Sequence, residues 1–177
     1  MVNGSYYIGL RELVEDFARM LSRAPLNPHY RSREALCRWM FPMIKLYLRA
    51  KLGEQELPYD LWRRDLRRKS GINPLTLFAT DFAPDFSIDV TEVPTLAILT
   101  TLANDERAVP ARIGSAIGQG IVLSHRYPAV ISFVLYTAGE REHQRWVERE
   151  LQMNLWSRHK VKLVLREQRS PGGDTPD

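Results

Sequence analysis

Apolar residues recur at helical spacing in the first part of the chain. In GLRELVEDFARML, Leu10, Leu13, Val14, Phe17 and Leu21 share one stripe, acids and arginines occupy the other, and Pro25 and Pro28 stop the helix. A second helix is predicted in RSREALCRWMFPMIKLYLRAKLGE, with Leu36, Met40, Met43, Ile44, Tyr47 and Leu48 on one side. Ser32 suits its N-cap and Gly53 its stop, while Pro42 should kink or break it. LPYDLWRRDLRRKSG reads as a third helix, short and very basic, ending at Ser70-Gly71.

The period then changes. LTLFA, FSIDV, TLAILTTLA, AVISFVLYT and VKLVLRE are short runs rich in β-branched or aromatic residues, bounded by Pro, Gly, Asp and Asn, as strands are. Two helical segments interrupt them: PARIGSAIGQGIVLSHRY, and GEREHQRWVERELQMNLWSRH with Val147, Leu151 and Leu155 on its buried stripe. Three strands in succession, then helix, strand, helix, strand, predict an α/β three-layer sandwich around a mixed sheet of about five strands. AVISFVLY should be a strand covered on both faces. The expected organisation is one domain over 1–167, with 1–28 as an N-terminal helical extension, and a disordered tail over 168–177.

Composition fits a folded chain: 177 residues, 44% hydrophobic and 26% charged, are enough for one sizeable core. Arg11, Glu12, Glu15 and Asp16 interrupt the place where a secretory leader needs an apolar core, and the longest apolar runs are too short to span a bilayer. One cysteine, Cys37, excludes an internal disulfide. A soluble, cytoplasmic protein without membrane contact is the expectation.

The order of elements, with carboxylates at the first hairpin of DFSIDVTEVPTLAILTTLAND, resembles the PD-(D/E)XK nuclease superfamily, which has the restriction-endonuclease-like fold. The likeness runs from Arg31 to Glu167. It implies a glutamate on the helix before the sheet, a place taken by Glu34, and a metal-binding aspartate on the second strand. For the latter, PDFSIDV offers Asp85, preceded by Pro84, and Asp89, the better match because the turn TEVP follows it. The family's glutamine-bearing helix finds its counterpart in Gln119.

The resemblance further implies an acid, any residue and a lysine on the third strand, where Leu99 and Thr101 stand. Residues two apart share a strand face, so that pair would meet the aspartate, and two carboxylates would hold Mg²⁺ to activate water. From Val93 to Asn104 there is no acid, lysine or glutamine, and lysine is absent from Gly71 to His159. The expectation is a catalytically inactive nuclease-like protein, without cofactor, acting as a nucleic-acid-associated or partner-binding subunit. Two alternatives stay open. One is an active Mg²⁺-dependent nuclease with a rearranged site on Asp85 and Asp89, completed by Glu92, Asp105 or Glu106. The other is a protein-interaction or oligomerisation module, a homodimer or hetero-complex formed through helix faces.

A net charge of +4 and a pI near 9.4 favour acidic partners such as DNA or RNA weakly. The charge is densest in WRRDLRRKS, where Arg63, Arg64, Arg67, Arg68 and Lys69 are candidate phosphate contacts, extended by Arg31 and Arg33. Arg112 and Arg126, around the helix that follows the hairpin, are further candidates for nucleic-acid contact. His29, His125, His143 and His159 have no metal-ligand spacing, and GSAIGQG is no phosphate loop. Gly114, Ala116, Gly118 and Gly120 should instead let their helix approach the sheet closely.

Overall fold

The computed structural model describes residues 4–26, 30–53, 59–64, 72, 74–77, 79–90, 93–137 and 149–168. Two helices come first, α1 (Gly4–Arg23) and α2 (Arg33–Gly53). Five short strands follow: β1 (Tyr59–Arg63), β2 (Leu75–Leu77), β3 (Thr80–Phe82), β4 (Phe86–Val90) and β5 (Val93–Ala103). The chain then alternates through α3 (Val109–Ser124), β6 (Val130–Thr137), α4 (Arg149–His159) and β7 (Val161–Gln168).

The main sheet is mixed and five-stranded, in the order β1-β4-β5-β6-β7. Neighbours among β1, β4 and β5 run antiparallel, and those among β5, β6 and β7 run parallel. The parallel pairs are joined through helices, as geometry demands when a chain must return to the same end of a sheet. Helices cover both faces, which makes three layers. On one face Leu10, Val14 and Phe17 of α1 and Leu36, Met40 and Ile44 of α2 pack on Phe86, Ile88, Leu96, Ile98 and Phe133. On the other, Ile113, Ala116 and Leu123 of α3 and Leu155 of α4 pack on Ala97, Leu99, Val130, Val134 and Val161. Leu96 and Ile98 facing one layer, with Ala97 and Leu99 facing the other, show the two-residue period of a strand buried on both sides.

α1, expected as an extension, lays its apolar stripe into the same core as α2. Its C-terminal end is held by Arg166 of β7, whose guanidinium donates to Leu21 O at 2.5 Å and to Ala24 O, carbonyls that no helical N–H reaches. Ser32 does cap α2: its Oγ accepts from Ala35 N at 3.1 Å. That helix continues unbroken through Pro42.

Three expectations need correction. Where the basic helix is expected, Tyr59–Arg63 forms an edge strand against β4, and the rest of that segment, residues 65–71, lies outside the described ones. Leu61 opposite Ile88 completes the core row of β4, and this non-local burial outweighs local helix propensity, while Tyr and Trp suit a strand well. LTLFA does not join the main sheet either, since β2 pairs with β3 in a separate two-stranded hairpin. On α4, Leu155 is buried as expected, but Leu151 is 40% exposed, and Val147 lies outside the described residues.

The close approach of α3 to the sheet is real but sits at one end of the predicted stripe. A methyl at Gly120 would lie 2.6 Å from Ser132 Oγ and 3.0 Å from Val161 Cγ1, and Ser132 Oγ donates to Ala116 O at 3.1 Å. Gly114 and Gly118 face open space. Among the described residues, no helix is long and apolar enough to cross a membrane.

Candidate functional site

The β4–β5 hairpin closes tightly, with Val90 paired to Val93 and Asp89 to Pro94. Antiparallel counting then runs back through Ile88–Leu96, Ser87–Ala97 and Phe86–Ile98, with a register shift between Ile88 and Asp89. Asp89 therefore sits at the turn end, and the expected meeting of Asp89 with Leu99 does not occur. It is Asp85, at the opposite end of β4, that lies beside this part of β5, its N donating to Ile98 O at 2.9 Å.

The side chain of Asp85 is buried and fully engaged. Oδ2 accepts from Thr100 N at 2.7 Å and from Thr100 Oγ1 at 2.6 Å. Arg33, on the first turn of α2, reaches both carboxylate oxygens, Nη2 to Oδ1 at 2.7 Å and Nε to Oδ2 at 3.2 Å. Cys37, one helical turn further along α2, places Sγ 3.2 Å from Thr100 Oγ1. A carboxylate facing a guanidinium only accepts, so the hydroxyl of Thr100 spends its single proton on Asp85 and the thiol of Cys37 is the donor to Thr100. The result is a directed chain, Cys37 to Thr100 to Asp85, closed by Arg33. These partners belong to the layer of α1 and α2.

Asp89 occupies a different setting. Across β1–β4 it stands directly opposite Asp60, and Ser87 Oγ donates to its Oδ1 at 3.1 Å. Burial raises the Asp89 carboxyl above its ordinary range, and the charge of Asp60 adds to this while the Ser87 hydrogen bond offsets part of it. Like charges face to face weaken a strand pair, and here one of them is partly removed from water.

The remaining candidates are spread over the molecule. Glu34 is well exposed and pairs with Arg38 at 3.7 Å. Gln119 donates to Ser115 Oγ at 3.0 Å on α3, in the layer opposite Asp85. Leu99 is buried among α3-facing residues and Thr101 is half-buried. Among the described residues, no group of three or more His, Cys, Asp or Glu side chains is placed to hold a metal.

Of the basic candidates, Arg63 lies over Phe41 of α2, its guanidinium carbon 5.0 Å from the ring centre. Arg64 is exposed, and its backbone N donates to Asp85 O at 2.9 Å. Arg67, Arg68 and Lys69 lie outside the described residues. Arg112 is exposed on α3, and Arg126, just beyond that helix, donates to Pro74 O at 2.9 Å, so these two are separated from Arg33 by the sheet. The arginines beside Asp85 thus come from the start of α2 and the end of β1. Sequence reading missed Thr100, Cys37 and Asp60, and it saw Arg33 as part of a basic patch without seeing its acid.

Compared with family models, curated proteins and solved structures, the chain finds no match.

Proposed function

We propose that this chain is a restriction-endonuclease-like scaffold that associates with nucleic acid and does not cut it. The observation that carries the reading is the state of Asp85. Its oxygens are occupied by Arg33 and Thr100, and the neighbouring positions on β5 are Leu99 and Thr101, which bring neither a second carboxylate nor an amine. Mg²⁺ takes hard oxygen ligands and prefers carboxylates. To reach Asp85 it would have to displace a guanidinium held at two points, which leaves the hydrolytic route without its metal and without its water. Exposed Arg33 and Arg64, attached to Asp85 through a side chain and a main chain respectively, support the nucleic-acid part of the reading, because guanidinium groups suit phosphate.

The test is incubation of purified protein with DNA and with RNA in Mg²⁺ and in Mn²⁺. No metal-dependent cleavage is expected. Cleavage abolished by Asp85→Ala or Asp89→Ala overturns the reading.

One observation favours a second reading, a rearranged metal site. Asp60 and Asp89 face each other on adjacent strands, so two carboxylates from different elements are side by side. Calorimetric titration with Mn²⁺ separates the readings: binding lost in both Asp60→Asn and Asp89→Asn supports the rearranged site.

A further inference from the structure

We propose that Asp85 organises a two-arginine clamp, Arg33 and Arg64, for the phosphodiester backbone of a polynucleotide; this rests on the nucleic-acid reading above. Asp85 holds the side chain of Arg33 and the main chain of Arg64. Its carboxylate fixes the head of Arg33 at two points, and its main-chain oxygen accepts from Arg64 N at 2.9 Å, which sets the chain at the end of β1. Asp85 is itself locked by Thr100, so the anchor does not move.

A guanidinium has five N–H groups in a planar fork. Arg33 commits two of them to Asp85, and the side chain is 43% exposed while its acid is 7% exposed. It is therefore gripped along one edge and open along the other. Arg64, whose main chain adjoins Asp85, is exposed, and Arg31, two residues before Arg33, is exposed as well. A guanidinium held in this way has less rotamer freedom to lose when it meets a phosphate than a free surface arginine.

The kind of contact also follows. Phe41 has Arg63 over it and stacks on Phe86 with centroids 6.5 Å apart, and Trp62 of β1 is half-buried. Contacts that guanidinium groups make to the phosphodiester backbone fix register without reading bases, so the clamp is indifferent to sequence.

The experiment is fluorescence anisotropy of the full chain with a labelled, mixed-sequence DNA duplex over a salt series. Arg33→Ala with Arg64→Ala should lower the slope of log affinity against log salt by about two, and changing the duplex sequence should leave affinity unchanged. An unaltered slope overturns the clamp. The decisive variant is Asp85→Asn. Removing a negative charge should tighten binding to a polyanion if charge alone matters, whereas the clamp requires weaker binding because Arg33 loses its anchor. Tighter or unchanged binding by folded Asp85→Asn overturns the clamp and leaves the nucleic-acid reading standing; no salt-dependent binding by the unaltered chain overturns both. Should Asp85→Asn not fold, Arg33→Lys decides, since it keeps the charge without the two-point grip: weaker binding supports the clamp and unchanged binding overturns it.

Discussion

Arg33 and Asp85 meet in a two-point contact across 52 residues of chain, joining the first turn of α2 to the entry of β4. The acid is buried and the base is not, so the two sides of the pair respond differently to truncation. Asp85→Ala strips Thr100 N of its acceptor and should cost about 3 kcal/mol. Arg33→Ala should cost less, and the coupling between the two in a double-mutant cycle should be about 1 kcal/mol, because water screens the exposed guanidinium. Urea unfolding of the four proteins checks this; a coupling indistinguishable from zero removes the ion pair as a structural element.

Thr100 is the second support of Asp85, through both its main chain and its hydroxyl. Thr100→Val keeps the shape and removes a hydrogen bond to a charged group, with an expected loss of about 2 kcal/mol. Thr100→Ser keeps that bond and loses a buried methyl, with an expected loss of about 1 kcal/mol. Equal losses in chemical denaturation would show that packing, and not the hydroxyl, holds this position.

How much of this was legible beforehand divides by the range of the interactions. The stripe Leu10, Leu13, Val14, Phe17 and Leu21 is a local signal, and all but the half-buried Leu13 are buried as it requires. The run of β6 is likewise buried at every position but Thr137, as an unbroken apolar strand predicts. β1 was not legible, because YDLWR, leading into a run of arginines, satisfies a helix locally and only the open edge of β4, with Ile88 waiting for Leu61, selects the strand. The pairing of Asp85 was hidden for the same reason. Its position depends on how tightly the hairpin closes, and its arginine is 52 residues away. Asp85 and Arg33 were therefore visible as residues, while the contacts that decide their chemistry were not.

Gly120 and Gly118 offer a contrast on one helix. Gly120→Ala drives a methyl to 2.6 Å from Ser132 Oγ, an atom already bonded to Ala116 O, and should cost about 1–3 kcal/mol by overpacking. Gly118→Ala meets nothing within 4 Å and should stabilise the helix by about 0.5–1 kcal/mol. Combining Gly120→Ala with Ser132→Ala should recover part of the loss, and thermal melts of the variants read each effect directly.

Asp89 carries a pH signature. Its carboxyl is raised in the folded protein above the ordinary 3.8, chiefly by burial. An acid raised in the fold is better tolerated protonated, so its unfavourable contribution is absent below 3.8, develops as pH rises through the window up to the folded value, and stays constant above it. Asp89→Asn should therefore gain stability relative to the unaltered chain at neutral pH, with the difference shrinking as the solution is acidified towards 3.8. Asp60→Asn should shift the Asp89 titration downward when followed by carboxyl-carbon NMR. A stability difference that grows on acidification contradicts the assignment.

Lys160 ends α4 in the left-handed region, at φ 55°, a conformation that costs a side-chain-bearing residue about 1–2 kcal/mol. The turn is used: Lys160 N donates to Trp156 O at 3.0 Å to close the helix, and Lys160 O accepts from Val130 N at 3.0 Å to bind that turn to β6. Against the strain stand two contacts of the side chain, Nζ to Ser157 O at 3.2 Å and Nζ over the Trp156 ring at 5.9 Å, both near solvent. Such contacts contribute about 0.5 kcal/mol, less than the backbone cost. Lys160→Gly should consequently raise stability by about 0.5–1 kcal/mol. Lys160→Ala keeps the strain and loses the contacts, so it should melt below the unaltered chain. If both variants melted lower, the Trp156 and Ser157 contacts would outweigh the strain, and the lysine would be there for its side chain.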